Sequence, residues 1–315
     1  MSTRFGITVG VDGSASALRA VRWAAREAAT RGVGLRIVLA SPHYPELGGL
    51  GQLPAGTTQR EWPLAARRAS TVANRARRLA QTVEPGIFVA TSVITGPRSR
   101  TLIECSGEAA LLVIAARGLD GFAGLHLGSV AGTVSTYARC PVVVVRRRPV
   151  PEGTGQPAPV VVGVDGSPTN QLAIGFAFAF ADRRNLPLVA VHSWREPSWH
   201  ALHKTISEAS NQSALADDAE RVLAEALAGW SEHYPDVHIS RVIRRDRAID
   251  ALLSYSPRAE LVVVGSGGRG GFTGMLLGST SQTMVRYGSG PVAVVHPGVE
   301  PADAANGQKA VRARG

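Results

Sequence analysis

The sequence predicts an α/β protein of two successive domains, each a five-stranded parallel sheet sandwiched between helices. Three observations lead there. First, the chain is one pattern written twice. ITVGVDGS at Ile7–Ser14 returns as VVVGVDGS at Val160–Ser167. LVIAARGLDGFAGLHLGSVAGTV at Leu112–Val134 returns as LVVVGSGGRGGFTGMLLGSTSQTM at Leu261–Met284, and ARCPVVVVR at Ala138–Arg146 returns as GSGPVAVVH at Gly288–His296. The offset is 153 residues at the first match and 150 at the others, so two homologous domains stand in tandem. Second, short β-branched runs alternate with stretches of helical spacing, the pattern of strands joined by crossover helices. Third, the runs are apolar at consecutive positions, as in strands covered on both faces.

Taken in order, Gly6–Val11 is a β-branched run, and Ser16–Arg31 carries helical spacing through Leu18, Val21, Ala24, Ala25 and Ala28. Leu35–Ala40 is a second strand. Beyond a Gly/Pro-rich loop, Leu64–Val83 reads as a helix whose arginines lie between the apolar Leu64, Val72, Leu79 and Val83. A strand at Ile87–Ile94, a short helix from Pro97, a strand at Ala110–Ala115, a glycine loop, a helix from Ser129 and a strand at Val142–Val145 complete the copy. The second copy has strands at Val160–Val164, Leu188–His192, His238–Ile243, Leu261–Val264 and Val292–Val295. Its helices are expected at Asn170–Arg184, Ala214–His233, Arg247–Tyr255 and Ser279–Tyr287. The domains are expected at 1–148 and 159–298, with a Pro/Gly-rich linker at 149–158 and a polar tail at 299–315. On such sheets ligands bind at the carboxyl ends of the strands, where the strand order reverses.

The 315 residues are 44% hydrophobic and 18% charged, an ordinary globular balance. No apolar run reaches the roughly 18 residues of a membrane span, and no signal-peptide pattern opens the chain, so the expectation is a cytoplasmic protein with no membrane partner. Two cysteines, Cys105 and Cys140, make no disulfide framework, and eight scattered histidines with no CxxC or HExxH suggest no metal site. The formal charge of +10 is lopsided: residues 1–150 hold 19 basic and 8 acidic residues, the remainder 15 and 16. Arg67, Arg68, Arg75, Arg77 and Arg78 on the second helix account for part of this. They read as a solvated face, with a polyanion contact as the alternative. Trp194, Trp199 and Trp230 read as packing residues. With aromatics at 5% and no aromatic–basic platform, nucleic acid is disfavoured as a partner.

The glycine loop of the second copy contains a literal G-x-G-x-x-G at Gly265, Gly267 and Gly270. It follows a fourth strand rather than a first, and no acidic residue stands about 20 positions on, so it is not a dinucleotide fingerprint. No Gly-Lys-Ser/Thr closes it, so it is not a Walker A loop. Without a lysine it can hold phosphate through backbone N–H groups but lacks a point charge for a leaving phosphate, which favours binding over catalysis.

Gly265, two residues, Gly268, nine residues, then Gly278-Ser279 resembles the G-2x-G-9x-G-S/T nucleotide pattern of universal stress proteins. With VGVDGS, GSTSQ and the closing CPVVVVR or GPVAVVH strand, the resemblance covers nearly the whole chain and matches tandem members. It implies two Rossmann-like domains that bind ATP with Mg²⁺ between the first-strand and fourth-strand loops. It also implies packing of the domains as a pseudo-dimer through Val142–Val145 and Val292–Val295, a homodimer of tandem chains, and a protein partner yet to be identified. By position, Asp165 matches the aspartate near adenine and ribose, with Gly163 and Val164 lining its approach, and Ser193 matches the position that reads the adenine edge. Gly265 and Gly268 match the ribose and α-phosphate contacts, and Gly278, Ser279, Thr280 and Ser281 the outer phosphates. In the first half the matching residues are Gly10, Asp12, Ala40, Gly118, Gly128, Ser129 and Val130.

Two departures stand out. Ala115 replaces Gly265 and Ala131 replaces Ser281. A Cβ at the first position is expected to crowd the nucleotide or demand a forbidden backbone angle. A lost hydroxyl costs roughly 0.5–1.5 kcal/mol. The expectation is therefore strong ATP binding in the second half and weak or no binding in the first. The function expected is that of an ATP-binding stress-response regulator. The alternatives are a slow ATPase and a non-catalytic interaction module with a basic first domain. Asp12 and Asp165 also suit plain helix capping, and Ser279 an N-cap.

Overall fold

The computed structural model describes residues 6–41, 62–118, 127–146, 157–194, 208–267 and 277–297, with backbone alone at 62–66 and 208–214. The chain divides into two compact units, Met1–Arg146 and Arg147–Gly315.

In the first unit the order is β1 (Ile7–Val11), α1 (Ala15–Arg31), β2 (Leu35–Ser41), α2 (Trp62–Val83), β3 (Val89–Thr95), α3 (Arg98–Ser106), β4 (Leu111–Ala115), α4 (Ser129–Tyr137) and β5 (Val142–Val145). The strands run in the order β3-β2-β1-β4-β5. All pairs are parallel, with Val9 beside Val113, Val11 beside Leu39 and Ala115 beside Val145. The second unit has β6 (Val160–Val164), a 3₁₀ turn at Pro168–Asn170, α5 (Gln171–Arg184), β7 (Leu188–Ser193), α6 (Glu208–His233), β8 (Ile239–Arg244), α7 (Ala248–Tyr255), β9 (Leu261–Gly265), α8 (Ser279–Tyr287) and β10 (Val292–Val295). Its order, β8-β7-β6-β9-β10, is again all parallel. Each unit is the five-stranded α/β sandwich the repeats predict. In each, the order reverses beside the first strand, between β1 and β4 and between β6 and β9, which opens a crevice at the carboxyl ends.

The local chemistry follows the residues. All five residues of β1 and all four of β5 are buried, consistent with helices on both faces. Ser14 caps α1 by accepting the Ala17 N–H at 3.0 Å. Gly32 (φ 63°) ends α1 in the left-handed region, and Asn185 (φ 50°), the residue type next best suited to it, ends α5. The core-facing stripe of α2 is Ala69, Ala73, Ala76 and Ala80, all buried, while the larger apolar residues Val72, Leu79 and Val83 are half-buried. Alanine suits a helix lying close on a sheet, and the five α2 arginines are exposed on the far side and flank. Strand β3 starts at Val89 rather than Ile87 because the Ile87 N–H turns back to Glu84 O at 3.4 Å. Helix α6 begins six residues before the expected Ala214, at Glu208.

Trp230 packs within the second unit. Its indole Nε1–H donates to Gln171 Oε1 at 2.7 Å, and its ring covers Gly175, where a Cβ would lie 2.4 Å from it. Trp194 has Arg245 over its ring at 5.7 Å, and Trp199 lies outside the described residues. Cys105 and Cys140 are free, buried thiols, and burial pushes Cys140 up to about 12. No helix among the described residues is long and apolar enough to cross a membrane.

Candidate functional site

The first crevice is built by two turns that meet. Asp12 leaves β1, and its Oδ1 accepts the Ser14 N–H at 2.9 Å across Gly13. Gly13 has φ 91°, a conformation in which a side chain would be strained. Ser14 Oγ lies 2.9 Å from Ser16 Oγ, and the Ser16 hydroxyl donates to Arg117 O at 2.7 Å, tying the start of α1 to the exit of β4. At that exit Gly118 passes against the aspartate: a Cβ on it would lie 2.4 Å from Asp12 Oδ2. Close approach therefore dictates glycine there.

The loop after β4 is closed at its neck by the Gly128 N–H donating to Ala116 O at 2.8 Å. Gly128 is the N-cap of α4 and has no side chain to satisfy the first turn. The first helical bond is Gly132 N–H to Gly128 O at 3.1 Å, so the N–H groups of Ser129, Val130 and Ala131 point out of the helix end. These parts enclose a cavity of about 390 Å³, within the range of small-molecule sites. Gly10, Asp12, Ala40, Gly118, Gly128, Ser129 and Val130, all the first-half residues anticipated from sequence, line it.

Other lining positions were not anticipated, among them Ala17, Arg98, Arg117 and Leu127. Arg98 follows Pro97, the extended cap of α3, at the carboxyl end of the sheet. Its placement depends on the strand order, which spacing alone does not give. Just past β5, burial first and then the charge of Arg117 pull Arg146 down to about 10, so it remains a cation at neutral pH. Two arginines, an open helix N-terminus and one carboxylate suit an anionic ligand that also carries hydroxyl or amino donors.

The second half repeats this plan with its floor filled. Asp165 Oδ1 accepts the Ser167 N–H at 2.7 Å across Gly166, and Gly278 N–H closes the loop neck on Ser266 O at 2.7 Å before capping α8. Asn170, which replaces Ala17, is buried. It donates from Nδ2 to Gly163 O at 3.0 Å and accepts the Asp165 N–H at 3.3 Å. Ser281 donates its hydroxyl proton to Gly265 O. Gly163 also makes room for Leu252, whose Cδ1 would be 3.1 Å from an added Cβ, and Val164 is buried beside it. Ser193 Oγ, at the end of β7, is buried with no hydrogen-bond partner among the described residues. Ser279 and Thr280 occupy the first turn of α8, and Gly268 lies outside the described residues.

Two reasons for demoting the first half do not hold. Neither Ala115 nor Gly265 has a positive φ, and a Cβ on Gly265 would make ordinary contacts, 3.5 Å to Gly267 O and 3.7 Å to Asn170 Nδ2. The Ser281 hydroxyl proton is committed to the strand, so Ala131 removes a brace between β4 and α4 rather than a donor aimed outward.

A model of the universal stress protein family matches residues 6–146 and 158–296. The chain is 38% identical over 313 residues to universal stress protein Rv1996 of Mycobacterium tuberculosis, covering 95% of this chain and 98% of that protein. It is 38% identical over 303 residues to Rv2623 of the same organism, with 93% and 97% covered. A crystal structure of a universal stress protein from Archaeoglobus fulgidus shares the fold at a TM-score of 0.64 and 18% identity, over 93% of this chain and 97% of that one. The chain belongs to the universal stress protein family, as a tandem member with two copies of the family domain.

Proposed function

We propose that each half binds an adenine nucleotide, ATP entering with Mg²⁺, and that the chain uses it as a regulatory ligand in a stress response rather than as a substrate. The observation that carries this is the first-half cavity, which is lined by both Asp12 and the Gly128-capped N-terminus of α4. The residues present fit the ligand. A carboxylate at a strand end accepts hydrogen bonds from sugar hydroxyls or an amino group, and open N–H groups at a helix start receive phosphate oxygens. Arg98 and Arg117 add positive charge at the rim, and Ala40 leaves room where the second half has Ser193. In the second half Asp165, Ser193, Gly278, Ser279 and Thr280 hold the same roles, and the orphaned Ser193 hydroxyl is a polar group that a bound base would satisfy. Neither glycine loop contains a lysine to stabilise a leaving phosphate, which favours holding the nucleotide over cleaving it.

The test is calorimetric titration of nucleotide-free protein with Mg-ATP, with AMP and NADH as comparisons. Two sites per chain are expected, one lost in Asp12→Ala and the other in Asp165→Ala. Absence of heat at millimolar ATP would overturn the reading. ADP released at a steady rate would make the chain an enzyme instead.

A further inference from the structure

Away from the crevices, the two halves carry opposite charge on one pair of corresponding helices. On α2 the exposed residues Arg67, Arg68, Arg75 and Arg78 lie opposite the buried alanine stripe, and residues 62–83 contain no carboxylate. On α6 the buried residues include Ala219, Val222, Ala226 and Leu227, and the exposed Asp217, Asp218, Glu225 and Glu232 lie opposite them. The helices correspond at an interval of 150 residues, as the identical pairs Ala69 and Ala219, Val72 and Val222, and Ala76 and Ala226 show. At that interval Arg67 stands where α6 has Asp217, Arg68 where it has Asp218, and Arg75 where it has Glu225. The acidic row is held in place by Arg221, whose guanidinium donates to Asp218 at 2.5 Å and Glu225 at 2.8 Å.

We propose that α2 of one chain docks against α6 of a second copy of this chain. The charges are complementary, and so is their spacing. Arg67/Arg68 to Arg75, and Asp217/Asp218 to Glu225, each span seven to eight residues, about 11 Å at the helical rise of ~1.5 Å per residue. Both clusters therefore meet partners at once, in either relative direction of the two helices. The planar arginine fork favours carboxylates in such a pairing. Helix α1, which packs on α2, extends the basic surface with the exposed Arg22 and Arg26. A nucleic acid would account for the arginines alone. It leaves the matched carboxylates without a role, and they would repel it.

The proposal stands apart from the nucleotide reading and is tested without ligand. Sedimentation equilibrium of the full chain is run at 50 and 500 mM salt. A concentration-dependent association step is expected at low salt, weakened at least tenfold at high salt, where the screening length falls from roughly 14 Å to a few ångströms. Arg67→Glu, Arg68→Glu and Arg75→Glu together abolish the step, as do Asp217→Arg, Asp218→Arg and Glu225→Arg together. Mixing the two triple variants restores it, because each then offers the helix the other needs. All six positions are exposed, so both variants keep the wild-type circular dichroism; the aspartate and glutamate replacements also remove the two Arg221 ion pairs, which lowers that variant's melting temperature by only a few degrees. The proposal is overturned by a wild type without a salt-sensitive step, or by a mixture that stays dissociated. It is equally overturned if only the arginine variant loses the step while gaining nothing from its counterpart, the behaviour of a polyanion site.

Discussion

Replacing Gly118 by alanine tests how tightly the two turns of the first crevice are fitted. The new Cβ would sit 2.4 Å from Asp12 Oδ2, about 1 Å inside ordinary contact. The loop neck has little room to yield, because Gly128 N–H holds Ala116 O at 2.8 Å and Ser16 Oγ holds Arg117 O at 2.7 Å. The carboxylate must therefore retreat, and a shift of that size removes the 2.9 Å bond it accepts from the Ser14 N–H. A hydrogen bond to a charged group is worth about 1.5–3 kcal/mol. A loss near 2 kcal/mol lowers the melting temperature of a domain this size by roughly 4–8 °C. With Asp12 displaced, nucleotide affinity in the first half falls at least tenfold, while the second site is unchanged. Gly265→Ala is the control: its Cβ would make only ordinary contacts, so its cost stays below about 0.5 kcal/mol. Thermal unfolding followed by circular dichroism and calorimetric titration read both effects. Wild-type melting and two wild-type sites in Gly118→Ala would refute the reasoning.

Three further outcomes follow from other contacts. Ser281→Ala removes the tie to Gly265 O, so it costs the second half about 1 kcal/mol in urea unfolding and leaves ATP affinity within about threefold. Arg31→Met removes the 2.6 Å ion pair that the buried Glu27 makes with Arg31; losing one charged hydrogen bond costs about 1.5–3 kcal/mol, measured by the same unfolding curves. Cys140 is raised from 9.0 to about 12 by burial. Because the folded state holds the proton more tightly, the stabilisation is complete below pH 9 and is lost as pH rises from 9 toward 12. At pH 8 a thiol reagent therefore reacts with Cys140 only as fast as the protein unfolds.

Much of the architecture was legible because tandem duplication doubles each signal. The run Val142–Val145 alone is ambiguous between strand and buried helix, but its second appearance at Val292–Val295, after the same glycine loop, removes the ambiguity. The lining positions of the first crevice were also readable, since Asp12 and Gly128 lie at strand and helix ends that the repeats mark. What spacing did not reveal was direction. Ser281 sits at a helix start, where a hydroxyl serves outward or inward equally well, and only the nearby Gly265 carbonyl decides it. Arg98 enters the crevice through strand order, a long-range property with no local signature. Asn170 looked like a helical residue, yet Pro168 begins a 3₁₀ turn that aims its amide at Gly163. The α2 alanine stripe was not legible because alanine carries little hydrophobic signal while fitting closely against a sheet.

The two loop necks have a consequence for how such a domain can diversify. A single backbone bond, Gly128 to Ala116 or Gly278 to Ser266, clasps each glycine loop at its base. The bond fixes the end of the strand against the start of the following helix whatever the length of chain between them, and in the first half Arg117 and Gly118 alone of the described enclosed residues touch the first turn. Doubling the enclosed segment adds only about 0.6 kcal/mol of closure entropy, so residues can be inserted, deleted or transplanted from one half to the other with the scaffold intact. A duplicated chain with two such clasps can alter one ligand preference while holding the other fixed, which gives gene duplication a physical foothold for dividing labour between twins.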